Sequence, residues 1–460
     1  MKRLMFVAFF LICAICSFAE VRLPSVLSSH MVLQQQSTVR LWGWAGPGDK
    51  VFVTTSWDHK TDSVKVTRDA NWHINITTPI AGGPYSILFK SGNTIELNDV
   101  MIGEVWVCSG QSNMEMSEQW GLPDAKAELP TCANNNIRFF YVPKTTSRYP
   151  QEDCKASWVI CDSNSMKGFS AAGYFFGKKL NNELNVPIGL ISANWGGTPA
   201  EVWTPADVVN NDTVLKMAAA KIQAADWWPH TPGYAFNGMI APLTNFSIAG
   251  SIWYQGESNV QTANTYSKLL TGMIGAWRKA WSKDFPFYYV QIAPYAYGDK
   301  DAGALLQEAQ TQSMRYPNTG MVVISDLVTD TSDIHPKNKH DAGYRLANWA
   351  LAETYHKQGI IYKSPLYKSM STEKGKAILL FDNAPSGLVT KDKSISQLYV
   401  AGEDKIFYPA EAKIENNMVI AWSKKVKDPV AVRYAFGNTA IGNLFSKEGL
   451  PVTAFRTDKW

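Results

Sequence analysis

The chain has 460 residues, 45% apolar and 18% charged, which suits a globular protein of two or three domains. Its formal charge of +4 lies too near neutrality for function to rest on nucleic acid or a membrane surface. The 17 Trp and 19 Tyr supply aromatic faces that can stack on sugar rings or fill cores.

The chain opens on basic Met1-Lys2-Arg3, followed by an apolar run over 4–16 and then Ser17-Phe18-Ala19. This is the layout of a secretory signal peptide, residues 1–19, cleaved after Ala19. It predicts an exported protein, periplasmic or secreted, and the loss of Lys2 and Arg3 leaves a charge of +2. The run is too short to span a membrane, and no other segment qualifies, so no membrane insertion is expected. Cleavage leaves Cys108, Cys132, Cys154 and Cys161. Their spacing matches no zinc site. The close pair Cys154 and Cys161 is the favoured disulfide, and Cys108 reads as a free core thiol.

Residues 20–99 read as β. Short strand-like pieces at 51–53, 64–66 and 72–76 are separated by the turns Gly46-Pro47-Gly48-Asp49, Asp69-Ala70-Asn71 and Gly82-Gly83-Pro84. They predict a small β-sandwich-like domain. From 100 to 359 the pattern becomes α/β. Apolar strands are expected at 100–108, 138–142, 188–192, 248–254, 287–290 and 321–325, with helices at 171–184, 265–281 and 341–355. Such alternation implies a mostly parallel, wound sheet. The segment 205–236, with Trp227 and Trp228, is less regular and reads as an active-site loop or a small helical insertion. Residues 360–460 return to β patterning as an accessory β-rich region.

Four segments at strand ends carry candidate chemistry. Gly110-Gln111-Ser112-Asn113-Met114 follows the first apolar strand, where ligands bind in open α/β sheets. Ser112 on that turn is a candidate nucleophile, or else merely a helix cap. Asn194-Trp195-Gly196-Gly197-Thr198-Pro199 offers glycines whose N–H groups can approach a ligand. Gln255-Gly256-Glu257-Ser258-Asn259 offers a side-chain amide for a developing oxyanion, or a turn residue. Asp333-Ile334-His335-Pro336 offers a general base with a nearby carboxylate, or a surface-loop histidine. Asp333, His335, His340 and Asp341 do not read as a metal site, because Pro336 interrupts them and no ligand motif matches.

Together these four ordered blocks resemble the SGNH/GDSL hydrolase superfamily, and within it the sialate O-acetylesterase family of carbohydrate esterases. The resemblance runs from Leu33-Gln34-Gln35 to Gly449-Leu450-Pro451. It implies a flavodoxin-like three-layer α/β catalytic domain with flanking β-rich modules, and no metal or organic cofactor. It implies Ser112 as nucleophile and His335 as base. The oxyanion hole would be the Ser112 N–H, the Gly197 or Gly196 N–H and the Asn259 side chain. Gln111, Gln255 and Trp195 would contact substrate, an O-acetylated carbohydrate with 9-O-acetyl sialic acid first. The superfamily places its acid three residues before the histidine, where this chain has Ser332. Asp333, two before, is one choice for the third member, because residues two apart in an extended segment share a side. A backbone carbonyl near Ser332 is the other. Acetylated plant polysaccharide is the alternative substrate, and a non-catalytic carbohydrate-binding protein is the alternative class.

Overall fold

The computed structural model describes residues 20–460, so the expected signal peptide lies outside the described residues. Six short strands come first: β1 (Val32–Gln34), β2 (Thr38–Trp44), β3 (Lys50–Thr55), β4 (Thr61–Lys65), β5 (Asn71–Thr77) and β6 (Gly82–Ser91). The next strand, β7 (Asn93–Gly110), is 18 residues long and organises the rest. Its first half alternates between exposed and partly buried positions, with Leu97 fully buried, and from Val100 onward every residue is buried. The first half pairs antiparallel with β6, and Met101–Gly103 pair parallel with β1. The second half is sandwiched between parallel neighbours, and burial on both faces demands its mostly apolar run, in which buried Glu104 is satisfied by Gln34, Gln35 and Tyr355. The change of pattern near residue 100 therefore lies inside one strand, which the N-terminal β module and the α/β domain share.

The remaining strands of that domain are β8 (Asn134–Tyr141), β9 (Trp158–Cys161), β10 (Ile188–Asn194), β11 (Gly250–Tyr254), β12 (Phe287–Val290) and β13 (Thr319–Val322). Their spatial order is β13-β12-β11-β7-β10-β8-β9, all parallel except the edge strand β9. Within it β10-β7-β11-β12-β13 reproduces the flavodoxin-like order, in which the first strand lies second. Helices Ala171–Leu184 and Lys339–Trp349 pack in the core of one face, Ala263–Trp281 and Ala302–Ser313 in that of the other. This is the expected three-layer fold. Beneath the site, Trp253 meets Trp203 and Trp277 edge-on at 6.2 and 6.1 Å. Such pairs add about 0.5–1.5 kcal/mol each beyond area burial.

Two four-stranded sheets follow, with a two-stranded one formed by Leu388–Thr390 and Leu444–Ser446. One joins Leu366–Glu373, Lys376–Asp382, Met418–Trp422 and Glu411–Glu415, and the other joins Phe407–Pro409, Leu398–Ala401, Ala431–Tyr434 and Phe455–Arg456. They enclose a separate core that includes Phe381, Val400, Val419 and Val432. Arg456 docks this unit by a forked ion pair to Glu308 at 3.0 and 2.9 Å.

The expected Cys154–Cys161 disulfide is absent, and all four described cysteines are free. Cys154 packs in the core on one face of the sheet, and Cys161 in the core on the other, where its thiol donates to the Cys132 carbonyl at 3.1 Å. Trp158 shares Cys154's core, and an odd separation along strand β9 sends position 161 to the opposite face. Among the described residues no helix is long and apolar enough to cross a membrane.

Candidate active site

Strand β7 ends at Gly110 with φ +139°, and a Cβ there would stand 2.2 Å from the Tyr254 carbonyl oxygen. Only glycine allows this approach. The chain then turns into the short helix Ser112–Glu115. Its N-cap is Gln111, and no side chain caps it, so Ser112 is not the capping residue. The Ser112 hydroxyl instead meets His335 Nε2 at 3.0 Å. The histidine comes from the long loop beyond β13, so a pair separated by 223 residues is brought together.

Asp333 lies beside this histidine, but its first bond is to the backbone. Its Oδ1 accepts the His335 N–H at 2.9 Å, and the same oxygen is 3.6 Å from Nδ1, beyond hydrogen-bond length. Its other oxygen pairs with Lys337 at 3.0 Å. Burial works to raise the Asp333 carboxyl, but the His335 N–H and Lys337 outweigh it and hold it below the usual range. Burial lowers the basicity of His335, the Lys339 ammonium lowers it further, and Asp333 opposes both.

The glycine pair is resolved by its neighbours. The Gly196 N–H donates to Glu115 Oε2 at 2.5 Å and is spent there. Gly197, at φ +80°, has no acceptor for its N–H among the described residues. A Cβ on Gly197 would fall 1.8 Å from a ring carbon of Trp228, so the indole lies directly on it. Ser112 opens its helix, and a first-turn N–H has no partner within the helix.

Asn259 is held in one orientation. Its Oδ1 accepts from the Ala200 N–H at 2.9 Å and from Gln255 Nε2 at 2.8 Å, while its Nδ2 donates to Glu201 Oε2 at 2.8 Å. One Nδ2 hydrogen remains. Glu201 is 1% exposed, its other oxygen has no partner among the described residues, and burial raises its pKa. An acid inside the apolar run Ala200-Glu201-Val202-Trp203 was the signal for this brace.

Gln111 and Gln255, expected at the substrate, turn inward instead. Gln111 is 3% exposed, and its Oε1 accepts from the N–H groups of Gly256 and Ser258, both at 3.3 Å. Gln255 is fully buried, bonded to Asn259, Thr198 and Tyr266. Amides on tight turns satisfy nearby backbone before they reach solvent. Trp195 is half-buried, and its Nε1 donates to the Trp227 carbonyl at 2.9 Å. The segment expected as a loop or small helical insertion holds the short helices Ala206–Asn210 and Thr213–Ala219, and it packs against the glycine turn through Trp227 and Trp228. Two further residues carry no motif signal. The half-exposed Trp120 ring stands edge-on to His335 at 5.9 Å, and Lys144 bonds Glu115 at 2.6 Å. His340 pairs with Asp341 at 2.8 Å, and no metal-ligating cluster occurs among the described residues.

The arrangement sets a serine hydroxyl in contact with an imidazole, and the glycine turn and Asn259 carry N–H groups left without acceptors among the described residues. Comparison with known proteins shows the family. The family model described as "Carbohydrate esterase, sialic acid-specific acetylesterase" matches residues 102–355. The sialate O-acetylesterase of Homo sapiens is 30% identical over 396 residues, covering 78% of this chain and 76% of its own. That of Rattus norvegicus is 29% identical over 413 residues, covering 76% of each. The crystal structure of a carbohydrate acetylesterase from Xanthomonas citri superposes with a TM-score of 0.88 at 35% identity, covering 96% of this chain and all of that one. Spanning strand, serine turn, glycine turn and histidine loop alike, the match makes this chain a member of the sialic acid-specific acetylesterase family of carbohydrate esterases.

Proposed function

We propose that the protein is an exported serine esterase that removes O-acetyl groups from sugars, with 9-O-acetyl sialic acid as the preferred substrate. The observation that carries this reading is the 3.0 Å contact between Ser112 Oγ and His335 Nε2, set beside the open donors of Ser112, Gly197 and Asn259. Ser112 Oγ attacks the acetyl carbonyl carbon as His335 Nε2 takes its proton. Charge moves to the carbonyl oxygen, which the three donors receive. The acyl C–O bond to the sugar then breaks, and the imidazolium returns the proton to the departing sugar oxygen. Water attacks the acetyl-serine by the same route, releasing acetate and restoring Ser112.

The substrate is tested by acetate release. The expected result is a higher kcat/KM on 9-O-acetyl sialic acid than on acetylated xylan, and equal or reversed values overturn the sialate assignment in favour of plant polysaccharide. Absence of acetate from every acetylated sugar favours a binding protein. Export is tested by fractionating cells that produce the full chain. A processed protein beginning at Glu20 outside the cytoplasm is expected, and an uncleaved cytoplasmic chain overturns it.

Asp333 is proposed as the third member, acting mainly by charge. At 3.6 Å from Nδ1 it stabilises the imidazolium without a short hydrogen bond. Asp333→Asn is therefore expected to lower kcat by roughly ten- to a hundredfold, far less than the roughly 10⁴-fold loss seen where the acid is tightly bonded to histidine. Unchanged kcat in both Asp333→Asn and Asp333→Ala leaves a serine–histidine dyad.

A further inference from the structure

Directly behind the catalytic pair lies a polar cluster that the esterase mechanism leaves unused. Asn113 and Lys339 are both 0% exposed, and Glu257 is 6% exposed. Asn113 follows the nucleophile in the chain. Its Nδ2 donates to Glu257 Oε1 at 2.6 Å and to the Ile334 carbonyl at 3.1 Å. Its Oδ1 accepts from Lys339 Nζ at 2.6 Å. Ile334 immediately precedes His335, so one amide ties the residue after the serine to the residue before the histidine. Glu257 belongs to the same turn as Asn259, so three of the four motif segments meet here.

The donors and acceptors leave this amide one orientation. A lysine nitrogen on this contact donates, and a carboxylate and a carbonyl only accept. Turning Asn113 over would set its NH₂ against the lysine and its oxygen against two acceptors.

Lys339 occupies a costly place for a structural residue. It is the first residue of helix Lys339–Trp349, where the helix dipole disfavours a cation. Burial pulls its pKa down to about 7, against the restoring pull of Glu257 and Asp124. A methionine would fill the same volume without that cost. Groups that break local rules in this way concentrate at functional sites.

We propose that Asn113 and Lys339 are positioning residues of the catalytic pair: the Asn113 amide pins the histidine loop to the nucleophile turn, and Lys339, balanced by Glu257, locks that amide in place. This inference rests on the esterase reading above. The lock has an electrostatic consequence. His335 faces Asp333 and Lys337 of its own loop, Lys339 at the head of the next helix, and the uncharged Ser112 and Trp120 across the site. Lys339 carries its proton over the acidic range in which His335 titrates. Its charge therefore favours the neutral imidazole that can accept the serine proton.

Two variants attack the lock from opposite ends, so a folding failure of one leaves the other to decide. Lys339→Met/Glu257→Gln removes both charges together. It is expected to keep or raise Tm, lower kcat on 4-nitrophenyl acetate at least fivefold with KM within twofold, and move the acid limb of kcat/KM to higher pH. Asn113→Ala is expected to lower kcat at least fivefold with the acid limb unmoved, because Lys339 is still present. A smaller loss of kcat in either folded variant, or an unmoved limb in the double variant, overturns the proposal. An inactive wild-type enzyme overturns the esterase reading instead.

Discussion

Replacing Ser112 or His335 by alanine is expected to lower kcat on an acetyl ester by about four to six orders of magnitude, and the double variant is expected to be no worse than either single one. The two side chains act as one unit: the hydroxyl is a weak nucleophile until the imidazole takes its proton, and the imidazole has nothing to activate without the hydroxyl. Their 3.0 Å contact places that proton transfer within reach. Additive losses would mean the two act separately, and a Ser112→Ala enzyme with substantial activity would move the nucleophile elsewhere. The pH profile adds a check of sign. His335 works as a base only when neutral, so kcat/KM rises as pH passes upward through its pKa. Burial and Lys339 lower that pKa, so the acid limb should lie below the ordinary imidazole value. A limb above that value contradicts the described surroundings of the ring.

The second large effect is expected at Asn259. Asn259→Ala should lower kcat by about a hundred- to a thousandfold, the usual loss for one oxyanion donor. KM should change little, because the bond strengthens only as charge develops. The amide is well prepared for this task. Three bonds, to Ala200, Gln255 and Glu201, fix its orientation and leave one hydrogen to give. A near-normal kcat would make Asn259 a turn residue. A raised KM with unchanged kcat would make it a substrate-binding group.

Part of the molecule was legible in local pattern. Strands buried on both faces must be mostly apolar, so the central strands declared themselves from 100–108 to 321–325. Helix Ala263–Trp281 showed its stripe because Leu269, Leu270, Met273, Ile274 and Trp277 face one core. Helix Ala302–Ser313 was silent for the opposite reason. Its buried face holds Gln307, Gln310 and Ser313 with glycine and small alanines, and Leu306 is its single large buried apolar side chain, so no apolar stripe forms. Gln310 instead bonds the Ile292 N–H and the Gln255 carbonyl, and Gln307 the Ile292 carbonyl. Such partners lie on other segments and leave no periodic mark in the chain.

The same division runs through the site. Sequence alone determined which residue types stand at the strand ends: a serine after a glycine turn, paired glycines, an amide and a histidine. Local backbone sterics suffice for that, as at Gly110, whose φ of +139° glycine adopts without strain. Tertiary structure decided which groups are left free to act. Glu115 occupies the Gly196 N–H and leaves that of Gly197 open. Packing turned Gln111 and Gln255 inward, placed Cys154 and Cys161 on opposite faces of the sheet, and set Asp333 at 3.6 Å from the ring nitrogen. Each outcome depends on competition for hydrogen bonds and buried volume among segments far apart in the chain, and that competition exists only once the sheet has assembled.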